Sequence, residues 1–561
     1  MTRPLPGSAR TRFVVLAAVV FCGAAVLATW PAVRHVSSAY LAEGRPDFGE
    51  AARGDHLQSS YRLWLFGHQL GRGELPWVDP YTFQPESGDD VALGGWPFGL
   101  LAWPFYALGG PVVGWNLFTL LALALAGAAA CWWLRELELG RAAALVGGLA
   151  FALAPYRLNQ STGHMLGAVS LLLPVSLACF ERALRSRPRW HVGAAAALAS
   201  IPLSGQVHLA LGAVPFFGLY ALCRTRNRRH LGAAALTVAV AIAAGALVQR
   251  TVIAHSIAAG GRSFEELESY SAFTRDLVSR TAREGPEQFV FLGWLTLVIA
   301  AAGLVVLLVE RRLGLALALG AGVLLPAAAA LGAHLRLYRF AWEHVDMLRY
   351  ARVPERALPI ACLCLGALVA FVAEWLAGRP RGGLLVAVLA CLVIVDLHVR
   401  VFHPAFADRG NEAYAVLRGE GAGRLLELPV LRPIDSRGST YLAYELEAQR
   451  QRPLGYSTVA RPRVDAVARR LWLLNCGVVG PDARSLLAGL GVRYVALHSG
   501  VYEAAGHLSV VGSARAGLRE AGFRRMASAG RVELWRLTGA PRQTAVRPSA
   551  ECRDWHHKIV H

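Results

Sequence analysis

The sequence predicts an α-helical polytopic membrane protein with about eleven transmembrane helices and a small α/β domain at its C-terminal end. Of its 561 residues, 55% are hydrophobic and 17% are charged, and the mean hydropathy is +0.40. Apolar runs fill the first 400 residues, and after them the composition changes to that of a soluble domain. We therefore expect a membrane domain over 1–400 with its first outer loop over 31–111, a soluble domain over 401–541, and a disordered tail over 542–561.

The charge balance indicates membrane topology and not a nucleic-acid partner. The formal net charge is +19, and it comes almost entirely from arginine, since Lys558 is the single lysine. A nucleic-acid-binding protein needs its basic residues on one face of a soluble module. Here many of them lie in short gaps between apolar runs, where they mark the cytoplasmic side. The abundance of Ala, Gly, Leu and Arg is typical of a GC-rich bacterial genome.

The predicted spans begin after a basic N-terminus. Arg3, Arg10 and Arg12 precede the apolar run over 13–30 and predict a cytoplasmic N-terminus. We interpret this run as a retained helix, because its end has no clean small-residue cleavage site and many more spans follow. The later apolar runs are 112–134, 142–155, 164–180, 191–203, 206–223, 231–248, 289–309, 313–331, 358–376 and 384–399.

The apolar run over 96–108 decides the predicted topology. It has about thirteen residues, which is short for a span of about 20 residues, and it is rich in Trp, Phe and Pro. We expect an interfacial helix there, because aromatic side chains favour the headgroup region. If this run does not cross, the arginine clusters of alternate gaps (135–141, 182–189, 224–229, 311–312 and 379–381) all fall on the side of the N-terminus. The positive-inside rule then predicts a bacterial inner-membrane protein with an extracytoplasmic C-terminal domain.

The C-terminal region reads as alternating short strands and helices. We expect buried strands over 424–430, 492–498 and 531–537, and helices over 464–474, 483–490 and 515–520. Cys476 and Cys552 are the cysteines of this region, and a single pair permits a disulfide without requiring one. No cysteine spacing resembles a zinc site.

The candidate catalytic residue lies in the first outer loop. A carboxylate within hydrogen-bond reach can take the proton of an attacking hydroxyl, and we assign that role to Asp55, with His56 and Gln58 beside it as substrate-binding residues. The alternative for Asp55 is a helix N-cap. Asp89 and Asp90 could complete an acidic pocket or hold a divalent cation, and their alternative is a solvated turn.

The other candidate binding residues are a histidine and arginines expected on the outer side. His164 at the mouth of a span could bond a donor phosphate or orient Asp55, or it is an interfacial residue with its polar tip in water. Guanidinium groups on the outer side suit a phosphate, although contact with lipid headgroups or pairing with nearby glutamates is the alternative. These arginines are Arg262, Arg275, Arg349, Arg352 and Arg356.

Four short motifs, in order along the chain, resemble a bacterial branch of the GT-C superfamily of integral-membrane glycosyltransferases. They are Gly54-Asp55, Asp79-Pro80-Tyr81-Thr82-Phe83, Pro155-Tyr156-Arg157 and Gly163-His164. The resemblance implies transfer of a sugar from a polyprenyl-phosphate donor to a glycan, lipid or protein acceptor on the outer face, with inversion and with Asp55 as general base. Since no Asp-X-Asp stands at Asp55, a divalent cation is left open, and no other cofactor is expected.

Two other functions are alternatives to a glycosyltransferase. A transporter or flippase would carry ionisable residues within its spans, and the apolar runs are nearly free of charge. A non-catalytic scaffold would keep the same fold without the chemistry. Replacing Asp55 by asparagine separates an enzyme from a scaffold.

Overall fold

The computed structural model describes residues 7–87, 91–185, 187–282, 286–350, 353–539, 548 and 550–560, without the side chains of 7–9, 286 and 556–560. The described residues fall into two compact units. The helical unit comprises those of 1–34, 116–249 and 261–403, and the mixed unit comprises those of 35–115, 250–260 and 404–561.

The α-helices of the membrane part are α1 (Gly7–Thr29), α2 (Asp55–Gly71), α3 (Gly99–Glu136), α4 (Arg141–Ala152), α5 (Pro155–Gln160), α6 (Leu166–Val169), α7 (Leu172–Arg185), α8 (Trp190–Leu203), α9 (Val207–Arg224), α10 (Arg228–Thr251), α11 (Phe264–Tyr270), α12 (Leu295–Val309), α13 (Leu313–Ala330), α14 (Arg336–His344), α15 (Leu358–Ala377) and α16 (Gly382–Leu397). Each predicted apolar run contains an α-helix, whereas α2, α11 and α14 lie in predicted polar loops.

Among the described residues, seven helices are long and apolar enough to cross a membrane, and four shorter apolar helices (α4, α8, α12 and α16) occupy further predicted runs. The predicted class of α-helical polytopic protein is therefore confirmed, while the number of crossings stays a prediction. The run over 96–108 forms the first of two helices that join within α3 at Gly110, where the backbone is not helical (φ 72°, ψ −173°).

Glycine sets the closest packing within the helical unit. A Cβ on Gly147 of α4 would lie 2.7 Å from the carbonyl oxygen of Gly366 on α15, and a Cβ on Gly366 would lie 2.8 Å from that of Gly147. A Cβ on Gly303 of α12 would lie 2.2 Å from the carbonyl oxygen of Leu368. Small residues let the backbones of membrane helices approach in this way, so α15 becomes the buried centre of the unit.

The mixed unit contains a four-stranded sheet in the order β3-β4-β6-β5, in which β3 and β4 are parallel and the other pairs are antiparallel. Three of its strands match the predicted ones, and the edge strand β5 was not predicted because its sequence, FRRMASA, lacks an apolar pattern. The strands are β1 (Tyr40–Ala42), β2 (His403–Ala405), β3 (Arg424–Leu428), β4 (Val492–His498), β5 (Phe523–Ala529) and β6 (Val532–Leu537).

The remaining helices of the mixed unit include each predicted one. They are α17 (Glu412–Arg418), α18 (Ser439–Glu447), α19 (Pro462–Leu471), α20 (Pro481–Gly489), α21 (Ser499–Ala504), α22 (Val511–Glu520) and α23 (Ala550–Val560). The prediction of a disordered tail is wrong for α23, while 542–547, 549 and 561 lie outside the described residues. Cys552 forms a disulfide with Cys476, and Trp555, which is 3% exposed, packs edge-on against Trp472.

The predicted domain boundary is also corrected. Residues 35–111 of the predicted first outer loop belong to the same compact unit as the C-terminal region, and a buried cluster shows why. Glu50 accepts hydrogen bonds from the backbone N–H of Gly500 (2.7 Å) and contacts Nδ1 of His498 (2.7 Å). The other ring nitrogen of His498 lies 3.0 Å from the hydroxyl of Tyr414. Because its hydrogen bonds are satisfied, this buried network favours one arrangement of the segment around Glu50 and the segment around His498.

Candidate functional site

Asp55 is the first residue of α2, and its half-buried carboxylate accepts a hydrogen bond from the hydroxyl of Tyr456 at 2.8 Å. The N-cap position is occupied by Gly54, so the alternative role of Asp55 as the capping residue is wrong. The free N–H groups at the start of a helix and a hydroxyl donor both stabilise a negative charge. Asp55 is thus presented as a carboxylate at the start of a rigid element.

The segment around Asp55 is fixed by contacts with distant parts of the chain. The N–H of Gly54 donates to the hydroxyl of Ser439 (3.0 Å), and the side-chain amide of Gln58 donates to the carbonyl of Tyr456 (2.9 Å). A Cβ at position 54 would lie 2.6 Å from Nδ1 of His56, so glycine is required there. Gln58 therefore positions this segment through its amide.

Arg62 is a cation near Asp55 that the sequence analysis missed. It lies about two turns after Asp55 on the same helix face. Burial lowers the pKa of Arg62, and electrostatic interaction with Tyr456 and Asp55 opposes that effect. The signal that could have found it is helical spacing, because residues seven apart share one face of α2.

His56 does not lie at a surface, which corrects its assignment as a substrate-binding residue. Its side chain is 1% exposed, and its ring centroid lies 5.3 Å from that of Tyr40. Burial lowers the pKa of His56 to about 3, so the ring is neutral in the folded protein. It is a buried residue in the first turn of α2.

The motif at Asp79 is structural. The two carboxylate oxygens of Asp79 accept hydrogen bonds from the hydroxyl of Tyr61 (2.8 Å), the N–H of Tyr81 (2.9 Å), and both the N–H (3.1 Å) and the hydroxyl (2.6 Å) of Thr82. A carboxylate with four donors holds a turn in place and has little capacity left for a ligand.

The helical unit brings two of the predicted residues together around a glutamate that the sequence analysis did not single out. The carboxylate of Glu287 accepts a hydrogen bond from Nη2 of Arg356 (2.9 Å) and lies 3.4 Å from Nε2 of His164. Electrostatic interactions link this cluster to the buried Glu355 and Tyr156. Arg356 therefore has a carboxylate partner.

The other predicted arginines of this unit have contacts of their own. The N–H of Arg262 donates to the carbonyl of Arg349 (2.8 Å), and its guanidinium lies 3.6 Å from Glu266. The guanidinium of Arg349 lies 3.5 Å from Asp346. Glutamate or aspartate pairing, the alternative to a phosphate role, is thus present at both.

Three predicted residues cannot be placed, and one is exposed. Asp89, Asp90 and Arg352 lie outside the described residues. The side chain of Arg275 is 76% exposed and lies over the ring of Phe273. Within the part of the chain that the structure describes, no three His, Cys, Asp or Glu side chains converge as they would around a metal ion.

Comparison with known proteins gives structural likenesses only. The sequence matches no protein-family model and no curated protein. The fold resembles that of the oligosaccharyltransferase AglB from Archaeoglobus fulgidus, solved with an inhibitory peptide and a dolichol-phosphate, at a TM-score of 0.47 and 13% identity, over 94% of this chain and 74% of that one.

A second likeness is to ArnT from Cupriavidus metallidurans. In the apo state the TM-score is 0.40 at 14% identity, over 95% of this chain and 98% of that one. For ArnT bound to undecaprenyl phosphate the TM-score is 0.38 at 13% identity, over 96% and 100% of the two chains. Such low identities and TM-scores do not assign an activity to this chain.

Proposed function

We propose that this protein is a membrane glycosyltransferase, which moves a sugar from a polyprenyl-phosphate carrier to an acceptor hydroxyl on the outer face of a bacterial inner membrane. The observation that carries the proposal is the carboxylate of Asp55 at the start of α2, held by Tyr456. The ordered motifs that resemble the GT-C enzymes support the same class.

In the proposed reaction the acceptor oxygen attacks the anomeric carbon while the bond from that carbon to the phosphate oxygen breaks. The hydroxyl proton passes to Asp55, and the polyprenyl phosphate leaves with an added negative charge. Attack opposite the leaving group inverts the anomeric centre. A guanidinium group near the leaving phosphate would stabilise that charge. Arg62, on the same helix face as Asp55, is the candidate.

The disulfide supports an extracytoplasmic location of the mixed unit. Cys476 and Cys552 are bonded, and disulfides persist in oxidising compartments. This agrees with the arginine clusters that predict the opposite side as cytoplasmic. A donor that reaches this side already attached to a lipid needs no soluble nucleotide.

The proposal is tested in source cells that lack the chain and are complemented with wild type, Asp55→Asn or Asp47→Asn. Asp47 is an exposed carboxylate of the same segment, whose side chain contacts Gly49. We expect one polyprenyl-phosphate-linked sugar to accumulate with Asp55→Asn and not with Asp47→Asn, as measured by mass spectrometry of the lipid extract. Equal lipid profiles at equal expression would contradict the proposal and favour a scaffold.

A further inference from the structure

An open groove of about 960 Å³ lies in the mixed unit. The segment after α2, over 72–81, forms one side, and the start of β3 with the segment 449–451 forms the other. The volume is in the range of small-molecule sites. Asp55 and Tyr456 do not line it.

Three guanidinium groups line the groove, and none is paired with a described carboxylate. Arg424 donates to a backbone carbonyl and a glutamine side chain, which fix its position and leave further N–H groups for a ligand. Arg450 donates to four backbone carbonyls, so it contributes its positive charge more than hydrogen bonds. Arg72 is exposed. Glu74 is the one carboxylate among the described lining residues, so the described lining carries a net charge of +2 from three arginines and one glutamate.

An aromatic surface lies beside these charges. Trp77 is 40% exposed although it is a large apolar side chain. Next to it, the hydroxyl of Tyr81 lies 2.8 Å from Nε2 of His68, which fixes the tyrosine ring. The amides of Gln449 and Gln451 are exposed on the opposite side. Indole faces receive the C–H faces of sugar rings, and amide groups bond hydroxyls.

We propose that this groove binds an acidic oligosaccharide, a chain of sugars that bear carboxylate groups. Arg72 and Arg424 would bind the carboxylates, the charge of Arg450 would add to their attraction, and Trp77 would stack against a sugar ring. A simple polyanion would contact the arginines and not the indole. A neutral glycan would contact the indole and form no ion pair with the arginines. The inference concerns binding alone and does not depend on the proposed transfer reaction.

The test is titration calorimetry of the full chain in lipid nanodiscs, with no lipid-linked sugar present. The probes are hexagalacturonate, maltohexaose and inorganic polyphosphate. We expect hexagalacturonate to bind at least about tenfold more tightly than either of the others. Arg72→Gln and Trp77→Ala should each weaken its binding about tenfold, and Trp77→Phe should keep most of it.

The matched control is Arg470→Gln, which removes an exposed arginine outside the groove. Its affinity should equal that of the wild type. If it weakens binding as much as Arg72→Gln does, the effect is one of overall charge and the proposal is wrong. Failure of hexagalacturonate to bind, or equal binding of either other probe, would also overturn it. If Trp77→Ala does not fold, the comparison of Trp77→Phe, Arg72→Gln and wild type decides.

Discussion

The two units hold a fully buried guanidinium group in different ways. In the helical unit, Arg157 is 0% exposed and donates to the hydroxyl of Ser170 and to two backbone carbonyls, without an ion pair to a described carboxylate. In the mixed unit, Arg452 is 1% exposed and pairs with Glu427 and Glu445. Hydroxyl and carbonyl groups do not titrate, whereas carboxylates do. The difference teaches that protonation can change the contacts of Arg452 and not those of Arg157.

The largest expected effect is on catalysis in the mixed unit. Asp55→Asn should lower the rate of sugar transfer about 1,000-fold, because a general base contributes about 10²- to 10⁴-fold. The thermal midpoint of unfolding should stay within about 2 °C, since the asparagine oxygen can still accept from Tyr456. Turnover by the purified chain with the accumulated lipid-linked sugar measures the change. A loss below tenfold would remove Asp55 from the role of base.

The second expected effect concerns the pH dependence of stability. Burial raises the pKa of Glu445 from 4.5 to about 8, and this outweighs the opposing effect of Arg452. A carboxyl whose pKa is higher in the folded state contributes stability that is complete below pH 4.5 and is lost as the pH rises through 8. Between pH 6 and 8 the free energy of unfolding should fall by about 2 kcal/mol.

Glu445→Gln should remove most of this pH dependence and leave the protein more stable than wild type above pH 8. The thermal midpoint measured from pH 5 to pH 9 is the readout. Glu412→Gln, at an exposed position of α17, is the control and should keep the wild-type slope. If the thermal midpoint changes with pH equally in Glu445→Gln and wild type, Glu445 does not cause the pH dependence, and the contrast between the units is wrong.

The third expected effect is on stability in the helical unit. Glu287→Gln should lower the free energy of unfolding by about 2 kcal/mol, because it leaves Arg356 without its carboxylate. The two side chains are 17% and 14% exposed, so the loss should be smaller than for a fully enclosed pair. The double variant Glu287→Gln/Arg356→Gln should be more stable than the sum of the single changes predicts. Strict additivity of the thermal midpoints would show that the pair contributes nothing.

The smallest expected effect tests the partner of Asp55. Tyr456→Phe should lower kcat about tenfold and leave KM for the lipid-linked donor unchanged, because one hydrogen bond to a charged group is lost. Tyr456 is a positioning residue in this proposal, so a change confined to the thermal midpoint would assign it a structural role instead.

The sequence predicted the helices far better than the site. Apolar runs locate membrane helices because their signal is local and sums over about 20 residues. Strand β5 was missed because an edge strand needs no apolar pattern, and α23 was missed because a disulfide and one buried tryptophan hold it. His56 was misassigned because its burial depends on packing against Tyr40, which the local sequence does not show.

Composition and periodicity alone predicted a polytopic helical protein with a small sheet-containing region, and an acidic residue at the start of an amphipathic helix between the first two apolar runs. Only the tertiary structure decided which groups meet: Asp55 with Tyr456, Glu287 with Arg356, and Cys476 with Cys552. The physical reason is that hydrophobic burial depends on each residue's own side chain, whereas a hydrogen bond or an ion pair depends on the position of a partner that can lie 401 residues away.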